Sequence, residues 1–323
     1  MSGQVHASIL LVTKNGERYL DELLVSVKAQ TGPVAVVEII AVDSGSRDRT
    51  LDILQRHEVK IIRIPPHEFG HGKTRNLAAA QAQGDVLVFL TQDATPANEQ
   101  WLHHLVAPLL VDDLVVGAFS RHLPRSHCHP MEWRRIVQEE LSGQPESRIN
   151  RMHDNPAYAQ NPGLYYFFAN VSSVLRRTTW EQWPFPVVEF GEDQLWAQQV
   201  LEAGYRTAYC ADSLVYHSHS YGPWPNLRRH FDHFWALSQK MVLARQRTLR
   251  SCLPLAVSAA RRDLSFWRWA TGSGRARVAA EWGVAAVSWH LAANLGVWLG
   301  ERADRLPYGV CRFLSLQEHI KRQ

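Results

Sequence analysis

The sequence has few cysteines and no long uninterrupted apolar segment, and each shortage argues against a class of protein. Its four cysteines lie far apart and form no Cys-x-x-Cys pair, which argues against a zinc site or disulfide scaffold and fits a reducing compartment. No charged region followed by an apolar run marks a secretory signal near the N-terminus. The best transmembrane candidate, 278–299, contains Glu281, His290 and Asn294, so a buried or interfacial helix is favoured over a spanning one.

Charge is distributed unevenly along the 323 residues. Residues 228–323 hold 16 basic and 6 acidic side chains, a net charge of +10, whereas the remainder carries −6. This basic, tryptophan-rich segment suits an anionic lipid surface or a nucleic acid, and it is equally typical of a solvated helical surface.

The first third of the chain alternates between short apolar runs and segments of helical spacing. We predict helices at 17–30, 48–57 and 74–83, and strands at 6–13, 36–42, 59–64 and 85–91. Regular alternation of this kind implies right-handed βαβ units and a parallel sheet.

Further strands and helices are predicted along the rest of the chain. Segment 125–165 shows no firm pattern, which is typical of a functional loop. The predicted strands are 115–121, 167–175 and 207–216, and the predicted C-terminal helices are 226–250, 253–269 and 277–300.

Polar residues gather where the predicted parallel strands end, which is where ligands bind such sheets. Asp93 follows the fourth strand and can hold a hard divalent cation, and Asp43 follows the second and can accept from a nucleobase imide. Each aspartate is equally typical of a turn. The other polar residues at these ends are Thr13, Asn15, Ser44, Gly45 and Gln92.

A glycine-rich segment, 69–76, leads into a predicted helix and suits a phosphate group. Lys73 and Arg75 can neutralise a diphosphate there. The Gly-Lys-Thr triplet is not a Walker A motif because His67 occupies the place of its first glycine, and we therefore exclude ATP hydrolysis.

Two adjacent acids, Glu192 and Asp193, open another predicted helix, and Gly191 before them is expected to allow a close approach of the chain. Acids in a first helical turn are each stabilising by about 0.3–1 kcal/mol, so capping accounts for them as well as chemistry does. A carboxylate at a helix N-terminus is expected to stay ionised at pH 7. Trp196 can stack on a sugar or pack in the core.

Taken together, these motifs resemble those of GT-A glycosyltransferases of family 2. The resemblance extends over roughly residues 6–220 and is specific in its order and spacing rather than in any single motif. It rests on 13–16, 42–50, 91–94 and Glu192-Asp193. Within the family, segments 69–76, 90–96 and 215–219 look most like bacterial rhamnosyltransferases.

The resemblance implies an α/β fold, a GT-A-like three-layer sandwich with a mainly parallel mixed sheet, plus a C-terminal helical region. The catalytic domain is expected at 1–224, with a nucleotide-sugar half at about 1–96 and an acceptor half at about 97–224. Residues 225–323 are expected to form the basic, tryptophan-rich helical region.

The resemblance also implies roles for single residues. Asp43 would contact the nucleobase, Asp93 would hold Mg²⁺ or Mn²⁺, and Asp193 would be the catalytic base, with Glu192 beside it. The metal motif of the family usually has two carboxylates, and here it reads Gln92-Asp93-Ala94, which leaves room for His217 or His219 as a ligand. The predicted donor-binding residues are Thr13, Asn15, Asp43, Ser44, Gly45, His71, Lys73, Arg75, Gln92 and Asp93. The predicted acceptor-binding residues are Arg121, Asn170 and Trp196.

The activity implied by the resemblance is inverting transfer of L-rhamnose from dTDP-rhamnose to a saccharide or lipid-linked saccharide in bacterial surface polysaccharide synthesis. The alternatives are a UDP-hexose or UDP-N-acetylhexosamine donor, a nucleotidyltransferase, which segment 13–16 matches poorly, and a non-catalytic nucleotide-binding module.

A cytoplasmic protein is expected, with its C-terminal helices on the anionic inner face of the cell membrane. Nucleic acid is not an expected partner because the predicted acidic rim would repel phosphates unless it held a metal. The sequence does not define an oligomeric state.

Overall fold

The computed structural model describes residues 4–153, 156–160, 162–188, 191–240, 247–316 and 318. The chain divides into two compact units. The first contains Met1–Arg125 and Ile136–His217, and the second contains Ser126–Arg135 and Ser218–Gln323. The predicted boundaries at residues 96 and 224 stay predictions.

Within the described residues, the first unit holds a single nine-stranded sheet. Its strands are β1 Val5–Thr13, β2 Val34–Asp43, β3 Lys60–Arg63, β4 Val86–Thr91, β5 Thr95–Pro96, β6 Val115–Leu123, β7 Arg148–Asn150, β8 Ser172–Arg176 and β9 Arg206–Tyr216. Their order is β3-β2-β1-β4-β8-β6-β9-β5, with β7 also paired to β9. Strands β1, β2, β3, β4, β6 and β9 run in one direction, and β5, β7 and β8 run in the other, which confirms the predicted mainly parallel mixed sheet.

The helices follow the strands in the order expected of βαβ units. They are α1 Leu20–Lys28, α2 Thr50–Arg56, α3 His71–Ala79, α4 Trp101–Val111, α5 Pro130–Arg134, α6 Pro156–Gln160, α7 Pro162–Tyr166, α8 Arg177–Gln182, α9 Glu192–Glu202, α10 Pro223–Lys240, α11 Leu249–Thr271, α12 Arg275–Gly300 and α13 Tyr308–Leu314. Short 3₁₀ turns lie at Pro66–Glu68 and Ala303–Arg305, and a π-helical turn lies at Arg135–Glu139.

Helices cover both faces of the sheet in the first unit. Successive strand residues point to opposite faces. Ile9 and Leu11 therefore pack with α1, α2 and α4, whereas Leu10 packs with α3 and α9. The central strands are apolar along their whole length because both faces are buried. The result is the predicted three-layer arrangement of helices, sheet and helices.

The structure differs from the predicted elements in several places. Helices α4, α8 and α13 and the short strand β5 were not predicted. The predicted loop 125–165 contains α5, β7 and α6 as well as most of α7. The predicted helix 226–250 is described as α10 as far as Lys240, and residues 241–246 lie outside the described residues.

The second unit is helical, as predicted for the C-terminal region. Helix α12 packs against both α10 and α11. A Cβ atom at Gly296 would lie 2.3 Å from the carbonyl oxygen of Leu227, and one at Gly300 would lie 2.7 Å from that of Phe231, so these glycines permit the close packing of α12 on α10. Among the described residues, no helix combines the length and the hydropathy that crossing a bilayer requires.

Candidate active site

The carboxyl ends of β1, β2 and β4 lie side by side at one edge of the sheet. The register pairs Thr13 of β1 with Asp43 of β2, and Val12 of β1 with Thr91 of β4. The residues that follow these strands are therefore neighbours, at the edge where parallel sheets bind ligands.

Asp43 holds the loop that follows β2. Its Oδ1 accepts from the backbone N–H groups of Gly45 and Ser46, both at 3.0 Å, and its Oδ2 accepts from the Ser46 hydroxyl and, at 3.1 Å, from the Thr13 hydroxyl. The Asp43 side chain is fully buried. Asp43 therefore shapes this loop, and its predicted contact with a nucleobase stays a prediction.

Gly45 is the one residue of this loop that needs to be glycine. Its φ is +93°, and a Cβ atom there would lie 2.9 Å from the ring of Pro66. Neighbouring Ser44 is buried, and its hydroxyl donates to the carbonyl of Thr13. These two predicted donor-binding residues therefore shape the loop, and their contact with a donor stays a prediction.

The loop after β1 is fastened on both sides. The side chain of Asn15 accepts from the backbone N–H of Arg47 at 2.9 Å. The amide of Gln92 accepts from the backbone N–H of Lys14 at 2.8 Å and donates to the carbonyl of the same residue at 2.9 Å. Gln92, at the place where the family usually has a carboxylate, thus braces two loops.

Basic groups collect at the same edge. Burial, followed by the nearby guanidinium of Arg47, lowers the pKa of Lys14, while Asp43 acts in the opposite direction. Lys73 is exposed on α3, and the ring of His71 lies edge-on to Phe69 at 5.1 Å between centroids. Lys14 and Arg47 were not predicted as site residues, although both lie within the motifs 13–16 and 42–50 on which the resemblance rests.

Asp93 and His217 come together from β4 and β9. The Nε2 atom of His217 lies 3.7 Å from Oδ2 of Asp93, which is too long for a hydrogen bond. Two ligand atoms that each lie about 2.0–2.2 Å from one ion are separated by up to about 4 Å, so the pair fits a shared divalent cation. His219 belongs to the second unit, and its predicted role as a ligand stays a prediction.

Arg125 fixes the backbone that carries Asp93. Its Nη2 donates to the carbonyl of Asp93 at 3.2 Å and to the Thr95 hydroxyl at 2.7 Å, and its guanidinium lies 3.9 Å from the centroid of the Tyr19 ring. Sequence reasoning missed this residue, because an arginine in a segment without periodicity gives no signal.

Glu192 is the buried member of the carboxylate pair. It is 4% exposed and accepts from Nη1 of Arg75 at 2.7 Å and from the side-chain amide of Asn170 at 3.2 Å. Burial opposes its ionisation, but the charges of Arg75 and His71 outweigh burial and lower the pKa of Glu192. Arg75, which was predicted to contact a diphosphate, is therefore buried and paired with Glu192 instead.

Asp193 is half-buried and has a different environment. Its Oδ2 accepts from the backbone N–H of Asn170 at 3.1 Å, and its Oδ1 accepts from that of Gln194 at 2.9 Å. Burial and the adjacent Glu192 carboxylate raise the pKa of Asp193 to about 7. This corrects the expectation that Asp193 stays fully ionised at pH 7. The helix terminus and the two N–H donors favour the ionised form, but burial and the negative charge of Glu192 disfavour it more strongly.

The residues around Asp193 connect it to the edge of the sheet. The backbone N–H of Thr91 donates to the carbonyl of Val171 at 3.0 Å, and Val171 directly follows Asn170. Thr91 lies two residues before Asp93. A short series of hydrogen bonds therefore links Asp193 to the segment that carries Asp93.

Gly191 precedes this pair with a φ of +78°, and a Cβ atom there would meet no described residue within 4 Å. The expected close approach of the chain at this glycine is therefore not seen among the described residues. Gly191 serves the left-handed conformation in which the chain enters α9.

The predicted acceptor residues have structural roles in two of three cases. Trp196 is fully buried, and its indole N–H donates to the carbonyl of Trp183 at 2.8 Å, so stacking on an acceptor sugar is corrected to core packing. Asn170 is 2% exposed and holds both carboxylates of the pair. Arg121 donates to the carbonyl of Gly143 at 3.2 Å, and its acceptor role stays a prediction.

Comparisons with known proteins bear on the family to which the chain belongs. The family model described as "Glycosyl transferase family 2" matches residues 8–170. The O-antigen chain rhamnosyltransferase RfbN of Salmonella typhimurium is 30% identical over 230 residues, which are 70% of each chain. The O-antigen chain rhamnosyltransferase WbaN of Salmonella anatum is 34% identical over 200 residues, which are 60% of this chain and 61% of the relative.

A solved structure shares the fold across almost the whole chain. It is the mannosyltransferase PcManGT from Pyrobaculum calidifontis in complex with GDP-Man and Mn²⁺. The TM-score is 0.56 at 17% identity, over 94% of this chain and 87% of that one. The sheet and its helices are thus those of a GT-A glycosyltransferase, and the chain belongs to glycosyltransferase family 2.

Proposed function

We propose that the protein transfers L-rhamnose from dTDP-rhamnose, with inversion, to a saccharide or lipid-linked saccharide in bacterial surface polysaccharide synthesis. Two relatives that are rhamnosyltransferases of the O-antigen chain support the sugar. The observation that carries the chemistry is the position of Asp193, which hydrogen bonds link to the segment of Asp93 and which lies beside the buried carboxylate of Glu192.

Asp193 acts as the general base. It removes the proton of the acceptor hydroxyl as that oxygen attacks the anomeric carbon, a C–O bond forms, and the bond to the nucleoside diphosphate breaks. The proton ends on the Asp193 carboxylate, and the single displacement inverts the anomeric centre. A base with a pKa near the working pH combines a large ionised fraction with useful proton affinity.

The second carboxylate positions the first. Glu192 is held ionised by Arg75 and is bonded to Asn170, whose backbone N–H is itself bonded to Asp193. Asn170 therefore joins both acids. Two neighbouring carboxylates with pKa values moved apart are the pattern by which one of them becomes the acid–base group.

The leaving diphosphate needs positive charge. Asp93 and His217 would hold Mg²⁺ or Mn²⁺, which stabilises diphosphate charge as a Lewis acid, and PcManGT contains Mn²⁺. With one carboxylate in the pair, the affinity for the ion rests partly on the diphosphate itself. Lys14, Arg47 and Lys73 add fixed positive charge at this edge, in the role that was predicted for Arg75.

Membership of the family removes the support for a nucleotidyltransferase or a non-catalytic module. The donor is tested with purified protein, a divalent cation and a panel of dTDP-rhamnose, UDP-glucose, UDP-N-acetylglucosamine and GDP-mannose. We expect dTDP-rhamnose to raise the melting temperature most and to release dTDP when a suitable saccharide is added. A larger shift and faster turnover with a UDP-sugar would contradict the assignment of the donor.

The base is tested with Asp193→Asn. The variant should still bind the donor, which a rise in its melting temperature with dTDP-rhamnose would show. Its turnover should fall at least about 10²-fold. Asp212→Asn, at an exposed aspartate of β9, is the matched control and should turn over normally. Normal turnover by the Asp193 variant would refute its role.

A further inference from the structure

The outward face of α11 and the first turns of α12 carry an unusual concentration of arginine. All six arginines are exposed, and none forms an ion pair with any residue in the described ranges. We call this surface the α11 basic face, and its arginines are Arg250, Arg261, Arg262, Arg268, Arg275 and Arg277.

The acids of this segment do not offset that charge. Asp263, the one acid within α11, is fully buried and bonded to Arg134 of α5 and to His290 of α12. Its negative charge therefore serves the interior of the second unit. Glu281 is the exposed acid at the end of the segment, so residues 249–281 present a surface charge of about +5.

Large apolar side chains lie exposed on the same helix. Leu249 is 57% exposed, Leu253 is 54% exposed and Trp269 is 79% exposed. The buried side of α11 is formed by small residues such as Ala256, Ala259 and Ala260, whereas these larger side chains leave much of their surface open to solvent. An exposed tryptophan and leucines beside unpaired cations are typical of helices that lie in a lipid interface.

We propose that the α11 basic face docks on an anionic lipid bilayer, its arginines on lipid phosphates and its exposed leucines and Trp269 among the acyl chains. The proposal names the residues through which the basic C-terminal region would contact a membrane. It does not depend on the identity of the donor sugar. Lipid is favoured over nucleic acid because a phosphate backbone offers the exposed leucines no apolar partner. Vesicle binding through the arginines should depend on salt, whereas binding through the exposed apolar side chains should not.

Co-sedimentation of the full chain with phosphatidylcholine vesicles, with and without phosphatidylglycerol, tests the arginines. Each arginine near an anionic surface contributes about fivefold to partitioning, so Arg261→Gln/Arg262→Gln should bind about 25-fold more weakly. Lys60→Gln/Arg63→Gln removes the same charge from β3 and should bind like the unchanged protein. Equal binding to both kinds of vesicle, or equal losses in the two double variants, would overturn the proposal.

Trp269→Ala tests the apolar part of the surface. It should weaken vesicle binding severalfold at every salt concentration, whereas the binding of the double arginine variant should depend less steeply on salt than that of the unchanged protein. Melting temperatures of all variants report on folding, and at these exposed positions they should stay unchanged. Tighter binding of duplex DNA than of phosphatidylglycerol vesicles, lost in the same arginine variant, would assign the surface to nucleic acid and refute the proposal.

Discussion

Replacement of Glu192 by glutamine should shift the pH profile of the enzyme to lower pH. Glutamine keeps the shape of the side chain and an oxygen that can accept from Arg75 and Asn170. It removes the negative charge that, after burial, is the next largest cause of the raised pKa of Asp193, and it leaves the positive charge of Arg75 nearby. Both effects favour the ionised form of Asp193.

The size of this shift is set by the interaction between the two adjacent charges. At an effective dielectric constant of about 20, neighbouring unit charges interact by a few kcal/mol, and solvent at a half-buried group reduces this. We expect the pKa of Asp193 to fall by about one unit, from about 7 to about 6. At pH 6 about a tenth of the unchanged enzyme and about half of the variant would then hold the ionised base. When each rate is divided by the plateau rate of the same enzyme at high pH, the variant at pH 6 should be about fivefold more active than the unchanged enzyme.

The measurement is kcat/KM from pH 5 to pH 9, because this ratio reports the pKa of the free enzyme. Dividing each kcat/KM value by its plateau value at high pH removes any loss of activity that comes from weaker positioning of Asp193. Glu202→Gln, an exposed residue of the same helix, is the matched control and should leave the profile unchanged. An acidic limb of the Glu192 variant that stays in place or moves to higher pH would refute the coupling of the two carboxylates.

Three further predictions concern stability. Gly117→Ala should cost about 1–3 kcal/mol of unfolding free energy, because its Cβ would lie 2.6 Å from the buried ring of Trp196. Gly283→Ala should raise the melting temperature instead, because Gly283 lies within α12 and a Cβ atom there would meet no residue within 4 Å in the part of the chain that the structure describes. Arg75→Met should cost about 3–5 kcal/mol in urea unfolding because it leaves Glu192 buried without its partner. The pKa of Glu192 is lowered in the folded protein, so this contribution is present above the unfolded glutamate pKa of about 4.3 and is lost as the pH falls below it; a deficit that is equal at pH 7 and pH 3 would contradict the pairing.

The sequence predicts the parallel part of the sheet well because its strands are buried on both faces. A run such as β1 is apolar throughout and stops at polar residues, so both its type and its end are visible. Helix α4 has the same quality of signal, since Trp101, Leu102, Leu105, Val106 and Leu109 recur with helical spacing and are all buried. It was missed because Pro108 and two histidines interrupt the apolar pattern.

The residues of the site were predicted by type more reliably than by role. Glu192, Trp196 and Val200 recur every four residues of α9 and are all buried, so Glu192 faces the core and Asp193, one position on, does not. That spacing could have separated the two carboxylates from the sequence alone. The partner of Glu192 could not be found in this way, because Arg75 lies 117 positions away and only the packing of α3 on α9 joins them.

The four hydrogen bonds accepted by Asp43 have a consequence for affinity. They determine the shape of the loop after β2 through contacts within the chain, without help from any ligand. A nucleotide that binds against this loop meets a surface already in its final conformation, so little backbone entropy is lost on association. Replacing Asp43 should therefore weaken nucleotide binding through a larger entropic penalty, which calorimetry separates from the loss of a direct contact.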